Sequence, residues 1–529
     1  MRYVSGAFVT RPAWRGMYVR LGDDIDRAVN QHVHTIAGAL LEQPLAGISD
    51  VIPSYNNLYV EYDATTLSAD DVWQWCQQCQ RQQASHTAAQ PATVKTVPVH
   101  YDGEDLADVA ARANMSVHDV VSLHSRPDYH VYALGFTPGF AFMGSVSKDI
   151  HTPRRSTPRV RIPAHSVAMT GNQTGIYPSV SPGGWNLLGH ALVSMYDPHR
   201  DTPFWLEPGD TVRFLPQEGT PPADVTPLRL LPEEPEQAVL EVSKAGLLDM
   251  VVDGGRLRAG RYGLCRGGML DALSGTLANR LVGNDPYAPV LEMSLLGGSY
   301  RALAPCVVAV AGLGMTAHHN AQAVTTPSSF ALDTGDELTF VPTSTGVRSY
   351  LAVAGGIASD QFMGSASVDL KGNIGMPLRA GDVLGARQMK VARARTFQPW
   401  FASAQTSIRP LTLRITPGPQ ASTAALAALT RQTFTVSHAD RMGLRLADAD
   451  VPGGELTSEA VPIGAIQVPP GANPILLLHD RGTIGGYAKP AVLHPADLPK
   501  AAQIRQGQQV RFRLLEEHQA YPSHLPTAR

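Results

Sequence analysis

The chain has 529 residues, of which 43 % are hydrophobic and 17 % charged, and this length predicts three or four domains rather than one core. The formal net charge of −3 gives no indication of a nucleic-acid-binding protein. The sequence also lacks a run of about 18 apolar residues that would indicate a membrane span. The 48 glycines and 41 prolines favour strands and turns over helical bundles. Four cysteines are too few for a disulfide framework, and no signal-peptide pattern is present, so we expect a cytoplasmic protein.

Residues 17–90 predict a small α+β unit. A short strand at 17–22 precedes an amphipathic helix, two strands follow at 47–53 and 58–62, and a second helix begins near Ser68. The apolar stripe of the first helix consists of Ile25, Val29, Val33, Ile36 and Leu40. The β-α-β-β-α order predicts a ferredoxin-like domain over residues 1–92.

A glycine turn that leads into an alternating strand occurs three times. It reads GDTVRF at 209–214, GDELTF at 335–340 and GQQVRF at 507–512. Such a unit is suited to close a β-barrel. We therefore expect barrel domains at 93–216, 240–400 and 401–516. A proline-rich, acidic linker at 217–239 would join the two halves, and 517–529 would form a tail.

Four arginines lie within eight residues, interleaved with prolines that exclude a helix: Arg154, Arg155, Arg159 and Arg161. On an extended strand, Arg159 and Arg161 share one face because side chains alternate. Paired guanidinium groups suit the capture of a carboxylate, carbamate or phosphate. The alternative is a solvated edge strand whose arginines form surface ion pairs.

Two loops rich in glycine and aromatic residues flank the arginines. Their candidate binding residues are Phe136, Pro138 and Gly139 in the first loop, and Gly183, Gly184, Trp185 and Asn186 in the second. The backbone N–H groups of the second loop are able to form an anion-binding nest, with Trp185 as the wall for a planar ligand. A hairpin turn with a core tryptophan is the alternative, and the phenylalanines favour packing.

The second half combines charge, glycine pairs and aromatic residues in a similar way. Its candidates are Asp480, Arg481, Thr483, Gly485, Gly486 and Tyr487, together with Asp253, Arg256, Asp440, Arg441, Ser458, Glu459 and Gln467. Carboxylates beside arginines suit acid–base chemistry, although such neighbours are also common as structural ion pairs. The sequence contains no P-loop, no G-x-S-x-G elbow and no H-E-x-x-H motif, and we predict no metal site.

In order along the first half, the phrases GF-x-PGFAF, PRR-x-x-PR-x-R-x-P, Y-P-x-x-SPGGWN and PGD-x-V-x-F resemble the B-type subunits of 5-oxoprolinase, also called allophanate hydrolase subunit 1. In the second half, VDGGR, SHADRMGLRL, SEAVPIGAIQVPP and DRGTIGGYAKPAVLHPADL resemble the C-type subunits, also called allophanate hydrolase subunit 2. The chain thus resembles a fusion of the two subunits. The resemblance implies a mainly β fold with α+β parts, in which cyclophilin-like β-barrel domains follow the N-terminal ferredoxin-like α+β domain.

The resemblance implies a component of an ATP-dependent 5-oxoprolinase, which hydrolyses the lactam 5-oxo-L-proline to L-glutamate with a separate third subunit. The complex would use ATP, but not through a P-loop. Arg159, Arg161, Asp480 and Arg481 are the residues we expect to be catalytic. The alternatives are a biotin-dependent carboxyltransferase similar to that of urea carboxylase, or a non-enzymatic regulator that binds a histidine kinase. A homo-oligomer remains open.

The chain departs from the family pattern at four positions. The family usually has glycine at His165, glutamine at Val252, arginine at Met376 and glutamine at Gly482. Several of these positions lie in or beside the signature loops. We expect the fold to tolerate these changes and the activity to be more sensitive to them.

Overall fold

The computed structural model of the chain describes residues 15–84, 94–388, 410–447 and 449–515, and the backbone of two strands between residues 3 and 13. The expected tail at 517–529 and the start of the expected 401–516 domain lie outside the described residues. Within the described ranges, no helix is long and apolar enough to cross a membrane. In the same ranges, no three His, Cys, Asp or Glu side chains are grouped so as to hold a metal ion.

The N-terminal domain is an antiparallel sheet covered by two helices. Its strands are β1 (Tyr3–Val4), β2 (Ala7–Ala13), β3 (Gly16–Arg20), β4 (Ile48–Pro53) and β5 (Asn57–Tyr62), and its helices are α1 (Arg27–Glu42) and α2 (Ala69–Ala84). The sheet order is β1-β2-β3-β5-β4. Helix α1 begins after Asp26, whose carboxylate accepts hydrogen bonds from the first-turn N–H groups. The predicted apolar stripe buries Val33, Ile36 and Leu40, and the predicted β-α-β-β-α order is present.

The next unit is a closed seven-stranded barrel with strand order β10-β11-β8-β7-β14-β6-β13, and β9 and β12 pair outside it as a two-stranded arm. The elements are β6 (Val94–His100), α3 (Leu106–Ala113), α4 (Val117–Ser125), β7 (Asp128–Leu134), β8 (Ala141–Gly144), a 3-10 turn (Lys148–Ile150), β9 (Arg159–Ile162), β10 (Ser166–Thr170), β11 (Gln173–Ile176), β12 (Ser181–Gly183), β13 (Asn186–Ala191) and β14 (Thr211–Pro216). We call it the first barrel.

Two facing sheets, rather than a closed barrel, occupy residues 238–385. Their elements are β15 (Ala238–Lys244), β16 (Leu248–Val252), α5 (Ala272–Leu281), β17 (Val290–Ser294), β18 (Ser299–Ala302), β19 (Cys306–Gly312), β20 (Met315–His319), β21 (Gln322–Ala323), β22 (Ser328–Leu332), β23 (Glu337–Pro342), β24 (Arg348–Val353) and β25 (Val383–Gly385). The six-stranded order is β21-β20-β23-β18-β15-β25, and the five-stranded order is β16-β17-β24-β19-β22. Both sheets contribute to one core, and α5 covers the outer face of the smaller sheet.

The C-terminal unit is a second closed barrel. Its elements are β26 (Leu411–Pro417), α6 (Thr423–Arg431), β27 (Thr433–Ala439), β28 (Gly443–Ala447), β29 (Glu455–Ala460), β30 (Ala465–Val468), β31 (Ile475–Leu477), β32 (Ile484–Leu493), a 3-10 turn (Pro495–Asp497), α7 (Leu498–Ala502) and β33 (Gln509–Leu514). Seven strands in the order β26-β33-β27-β28-β31-β30-β32 close through a β26–β32 pairing. The predicted mainly β fold with cyclophilin-like barrels and an N-terminal α+β domain is confirmed.

The repeated glycine turn begins the same strand in both closed barrels. Strand β14 pairs in parallel with the first strand of its barrel and antiparallel with the next, and β33 does the same in the second barrel. In all three copies the glycine has a positive φ: 94° at Gly209, 91° at Gly335 and 85° at Gly507. A positive φ favours glycine, so the glycine residue itself determines the conformation of the turn. The middle copy leads into β23, an inner strand of the six-stranded sheet.

The segment at 217–237 has no helix and no strand, yet it is fastened along its length. The Gly219 carbonyl lies 2.8 Å from Nδ1 of His100 in the first barrel. Farther on, the Leu228 N–H donates to the Asn373 carbonyl (2.8 Å), and Arg229 pairs with Asp382 (3.2 Å). The connection between the halves is therefore a packed strap rather than a loose tether.

Two buried histidines predict acid sensitivity. Burial lowers the pKa of His124 to about 3 and that of His130 to about 4, against about 6.5 in an unfolded chain. Between these values the unfolded chain binds more protons, so the stabilisation is complete above about pH 6.5 and is lost as the pH falls toward 4. We expect the free energy of unfolding to be about 2 kcal/mol lower at pH 5 than at pH 7 for each histidine, measured by urea unfolding.

The control is on the same helix. His118 is exposed on α4, so His118→Gln should leave the difference between pH 7 and pH 5 unchanged. His124→Gln should reduce that difference by about 2 kcal/mol, because the titrating group is gone. An equal pH difference in both variants would contradict the assignment.

Candidate functional site

A cavity of about 490 Å³ lies where the first barrel, the strap and the second half meet. Its volume is within the range of about 300–1,000 Å³ that is usual for small-molecule sites. The lining residues are Phe136, Thr137, Ala164, Pro178, Ser179, Val180, Ser181, Pro182, Tyr196, Asp224, Val225, Leu370, Lys371, Asn373 and Met442. The two halves therefore share a cleft.

One wall is the turn at 135–140. Phe136 has a φ of 65°, a left-handed conformation that is uncommon outside glycine, and such backbone strain clusters at functional sites. The turn is held from the second half by the Gly139 N–H, which donates to the Tyr262 carbonyl at 2.9 Å. Thr137 is only 7 % exposed, and its Oγ1 has no hydrogen-bond partner among the described residues. The wall thus presents a polar atom whose hydrogen-bonding capacity is unused.

A second wall is a tight loop at 369–374. The Asp369 carboxylate accepts from the N–H groups of Lys371 (3.1 Å) and Gly372 (3.0 Å), and Asp369 and Ile374 exchange backbone hydrogen bonds. Tyr196 of the first barrel donates to the Gly372 carbonyl at 2.7 Å. The Lys371 ammonium donates to the Asp480 carbonyl at 3.1 Å. This loop therefore connects the cavity to the Asp480 segment.

Behind that segment is a buried network of charges. Arg441 donates to both carboxylate oxygens of Asp480, at 2.8 and 3.1 Å, and to Glu292. Arg348 lies 3.5 Å from Glu292, and Tyr350 donates to Glu292 at 2.6 Å. Arg441 and Glu292 have side chains 6 % and 0 % exposed. The predicted Asp480 and Arg441 are thus brought together, with Glu292 as a partner that the motifs did not indicate.

The two carboxyl groups of this network differ in pKa. Burial raises the pKa of Asp480, although Arg441 opposes the shift. Burial also acts to raise the pKa of Glu292, but Arg441 and Arg348 outweigh it and hold that pKa below its ordinary value. For Arg441, burial favours the neutral form, and its contacts with Asp480 and Glu292 nevertheless raise its pKa. Asp480 is therefore the member suited to exchange a proton.

The arginine cluster lies on the outer side of the first barrel, and none of its members lines the cavity described above. Arg159 donates to both oxygens of Asp105, at 2.8 and 2.9 Å, and Arg155 also pairs with Asp105. Asp105 is 3 % exposed and additionally accepts from the Leu187 N–H. Arg154 and Arg161 are exposed. Arg155 and Arg159 thus hold the two-stranded arm on the barrel.

We expect Arg159→Ala to destabilise the protein by about 1–3 kcal/mol, because the buried Asp105 carboxylate loses its bidentate partner. Thermal or urea unfolding measures the loss. Arg161→Ala is the matched control, since Arg161 is exposed on the same strand, and it should change stability by less than about 0.5 kcal/mol. Equal losses in the two variants would contradict a positioning role for Arg159.

The second glycine-aromatic loop lies beneath the arm. Trp185 is 5 % exposed and packs edge-on against Phe140 and Phe142. The Asn186 amide donates to the carbonyls of Pro153 and Met169. Gly183 pairs with Arg159 in the arm, and the Gly184 carbonyl accepts from the Arg155 N–H. These residues therefore support the cavity wall at 178–182 rather than line the cavity themselves.

Two further candidates form a buried loop network. Asp253 accepts from the hydroxyls of Ser365 and Ser367 and from the N–H of Ala366. Arg256 is 1 % exposed and donates to the carbonyls of Phe362 and Ser367. Because these contacts fasten the segment that leads into the 369–374 loop, both residues position the wall that carries Lys371.

A third group lies on β29, β30 and β32 and on the loop before β32, and β29 packs against β4 and β5 of the N-terminal domain. It comprises Ser458, Glu459, Gln467, Arg481, Thr483, Gly485, Gly486 and Tyr487. Glu459 pairs with the fully buried Lys489 at 3.0 Å, and Arg481 donates to the Val461 carbonyl at 2.6 Å. Asp440 instead closes a turn, accepting from the N–H groups at 442 and 443.

The positions that depart from the family pattern have local explanations in two cases. His165 has a φ of 65° and is 1 % exposed, so it occupies a left-handed backbone that the family's usual glycine adopts without strain. At Gly482, a Cβ would lie 3.2 Å from the Phe136 carbonyl oxygen, so a side chain would press on the cavity turn. Val252 is a buried residue of β16 and Met376 lies against Arg379; nothing in the structure explains these two replacements.

Several cavity residues had not been indicated by motif: Thr137, Asp224, Lys371, Asn373 and Met442. They come from four separate stretches of chain, which only the fold brings together. Of these residues, only Lys371 could have been singled out from the sequence. It is one of only seven lysines in the sequence and lies in DLKGNIG, a turn-forming stretch that follows an aspartate.

Comparison with known proteins gives matches along nearly the whole chain. Residues 262–514 match the family model "Carboxyltransferase domain, subdomain A and B", and residues 11–206 match "Carboxyltransferase domain, subdomain C and D". The two matched regions correspond to the two halves on either side of the strap.

Individual relatives divide at the same place. The B-type 5-oxoprolinase subunit of Escherichia coli O157:H7 is 40 % identical over 205 residues, which cover 38 % of this chain and 91 % of that protein. The C-type 5-oxoprolinase subunit of Escherichia coli K12 is 33 % identical over 285 residues, covering 52 % of this chain and 90 % of that protein. The crystal structure of TTHA0988 is similar over both halves, with 47 % identity, a TM-score of 0.89, and coverage of 94 % of this chain and 99 % of that one.

Proposed function

Because the chain belongs to the family of B-type and C-type 5-oxoprolinase subunits, here fused in one polypeptide, we propose that it is the fused component of an ATP-dependent 5-oxoprolinase. It would hydrolyse 5-oxo-L-proline to L-glutamate with a separate third subunit. The observation that supports this best is the cavity at the junction of the B-type and C-type halves. A fused chain keeps both walls of that cavity together.

In the proposed reaction, ATP would phosphorylate the lactam oxygen and release ADP. Water would then add to the activated carbon, and the C–N bond would break as the ring nitrogen takes up a proton and leaves as an amine. A second water would hydrolyse the resulting acyl phosphate to the carboxylate and phosphate. Asp480, whose pKa is raised by burial, is suited to take a proton from the attacking water and hand it to the ring nitrogen, and Arg441 holds it in place. Arg481 is buried and donates to the Val461 carbonyl, so we assign it a supporting part in this proposal.

The cluster on the arm has a smaller part in this proposal than the spacing of its arginines suggested. Arg159 is occupied by Asp105, and Arg161 lies on the exposed face of the arm. We therefore place the chemistry at the cavity and the adjoining Asp480 segment, and we assign Arg159 to support of the arm.

The test is a reconstituted assay. The full chain, the third subunit, ATP and 5-oxo-L-proline should together yield glutamate and ADP, and omission of any one component should stop both products. Release of ADP without glutamate, or no turnover with all components present, would overturn the proposal.

The family models favour one second candidate, a biotin-dependent carboxyltransferase, since both are models of carboxyltransferase subdomains. Under that alternative the cavity would take a carboxylated biotin and a urea-like acceptor. Binding of a carboxybiotin analogue, together with failure of the lactam assay, would favour it. Capture of a histidine-kinase domain with failure of both assays would favour the regulator.

A further inference from the structure

We propose that Lys371 receives the carboxylate of the lactam substrate and that the Thr137 hydroxyl hydrogen-bonds the lactam ring, so that these two residues select a carboxylate-bearing cyclic amide. This inference rests on the proposed function and makes it more specific. It is carried by the position of both residues in the lining of the 490 Å³ cavity.

The Lys371 ammonium has unused capacity. It carries three N–H donors, and its one hydrogen bond goes to the Asp480 carbonyl at 3.1 Å. Among the described residues, no carboxylate lies within 4.0 Å of Nζ, so the charge is not neutralised by a direct ion pair. A lysine with free donors at the edge of a cavity is a suitable receptor for a carboxylate.

The backbone that carries Lys371 is held from several sides. Asp369 caps the loop from within, Tyr196 fixes it to the first barrel, and the Asn373 amide donates to the Val225 carbonyl at 3.1 Å. A ligand group that reaches Lys371 therefore meets a preorganised position, which lowers the entropic cost of binding. Nζ contacts the backbone carbonyl of Asp480, so a carboxylate bound there lies beside the segment that carries the proposed acid–base residue.

The charged residues of the cavity lining favour one class of ligand. Lys371 is the cationic residue among the lining residues, and Asp224 on the strap is the anionic one. A ligand with one carboxylate finds its counter-charge at Lys371. A ligand without it loses this contact but still fits the apolar remainder of the wall, which includes Phe136 and Val225.

Thr137 supplies the second contact. Its Oγ1 is buried in the wall and has no partner among the described residues, which is uncommon for a buried hydroxyl. A hydroxyl both donates and accepts, so it can serve the carbonyl or the N–H of a lactam. Both lactams with and without a carboxylate would use it.

The experiment compares two ligands on the full chain by titration calorimetry. 5-Oxo-L-proline carries the carboxylate, and 2-pyrrolidinone is the same ring without it. Lys371→Met should weaken binding of 5-oxo-L-proline about tenfold or more, equivalent to about 1.4 kcal/mol, and change 2-pyrrolidinone binding less than about twofold. Lys371→Arg should restore part of the loss, because it keeps the charge.

Thr137→Val keeps the shape and removes the hydroxyl, so it should weaken both ligands by the same factor, about fivefold. Lys148→Met is the control, since Lys148 is an exposed lysine of the first barrel that does not line the cavity, and it should bind both ligands as the wild type does. Unchanged melting temperatures of the variants confirm that they are folded.

The outcomes separate the two proposals. If the wild-type complex hydrolyses 5-oxo-L-proline but Lys371→Met affects both ligands equally or neither, the carboxylate assignment is wrong and the proposed function stands. If the complex is active but the full chain binds neither ligand, the carboxylate assignment is likewise wrong and the proposed function stands. If the wild-type complex is inactive and neither ligand binds, the proposed function fails and this inference fails with it.

Discussion

Replacing Arg441 with methionine is expected to lower the free energy of unfolding by about 3–5 kcal/mol, because Asp480 and Glu292 then remain as buried carboxylates without their shared guanidinium. Methionine keeps much of the volume, so the loss reports on charge rather than on a cavity. Urea unfolding followed by circular dichroism measures it. The loss should be smaller at low pH, where the carboxyl groups are protonated.

The matched control is Arg445→Met in the same barrel. Arg445 is exposed on β28, so its replacement should change stability by less than about 0.5 kcal/mol. If the two variants unfolded at the same urea concentration, the network around Arg441 would not contribute to the stability of the fold. An Arg441→Met protein more stable than the wild type would show that burying three charges costs more than their attraction returns.

Asp480→Asn is expected to reduce turnover by the reconstituted 5-oxoprolinase complex by about 10²–10⁴-fold, which is the usual contribution of a positioned acid–base group. Asparagine still accepts a hydrogen bond from Arg441, and Glu292 still pairs with Arg441, so the stability should change by less than about 2 kcal/mol. The two readouts together separate a chemical role from a structural one.

A pH profile tests the same residue independently. Since burial raises the pKa of Asp480, the acid limb of the wild-type pH–rate profile should lie above the ordinary aspartate pKa of about 3.9 and disappear in Asp480→Asn. Asp450→Asn changes an exposed carboxyl in the same barrel and should retain the wild-type rate and profile. Full activity of Asp480→Asn would remove Asp480 from the chemistry.

Local features of the fold were predictable from the residues alone. The stripe of Val33, Ile36 and Leu40 faces the core of the N-terminal domain because helical spacing places these side chains on one side. The glycine turns at 209 and 507 lead into closing strands because their left-handed backbone and the alternating residues after them are set within a few positions.

Closure itself depends on pairings between distant segments. The second barrel closes because β26 pairs with both β32 and β33. Both partner strands come much later in the chain than β26, so the pairing depends on the folded chain and not on local sequence. Residues 335–340 carry the same local phrase, yet β23 lies inside an open sheet. A turn motif determines how a strand begins, but it does not determine whether the first and last strands of the sheet pair to close a barrel.

The arginine cluster shows the same limit in the site. Spacing correctly indicated an extended strand with Arg159 and Arg161, but the partner that occupies Arg159 is Asp105, which lies 54 positions earlier. The cavity was equally hidden, because Thr137, Asp224 and Lys371 are far apart in sequence and meet only in the folded chain. Motifs identified the loops that surround the site better than the side chains that face into it.

The strap between the halves has a consequence for how the protein responds to cleavage. The two halves also touch directly, because the Tyr196 hydroxyl donates to the Gly372 carbonyl and the Gly139 N–H donates to the Tyr262 carbonyl. These contacts do not depend on an intact peptide bond at 219–222. A protease cut there should yield two fragments on a denaturing gel that still migrate as one particle in gel filtration. The covalent join would then matter for matching the two halves during synthesis, and less for holding them together afterwards.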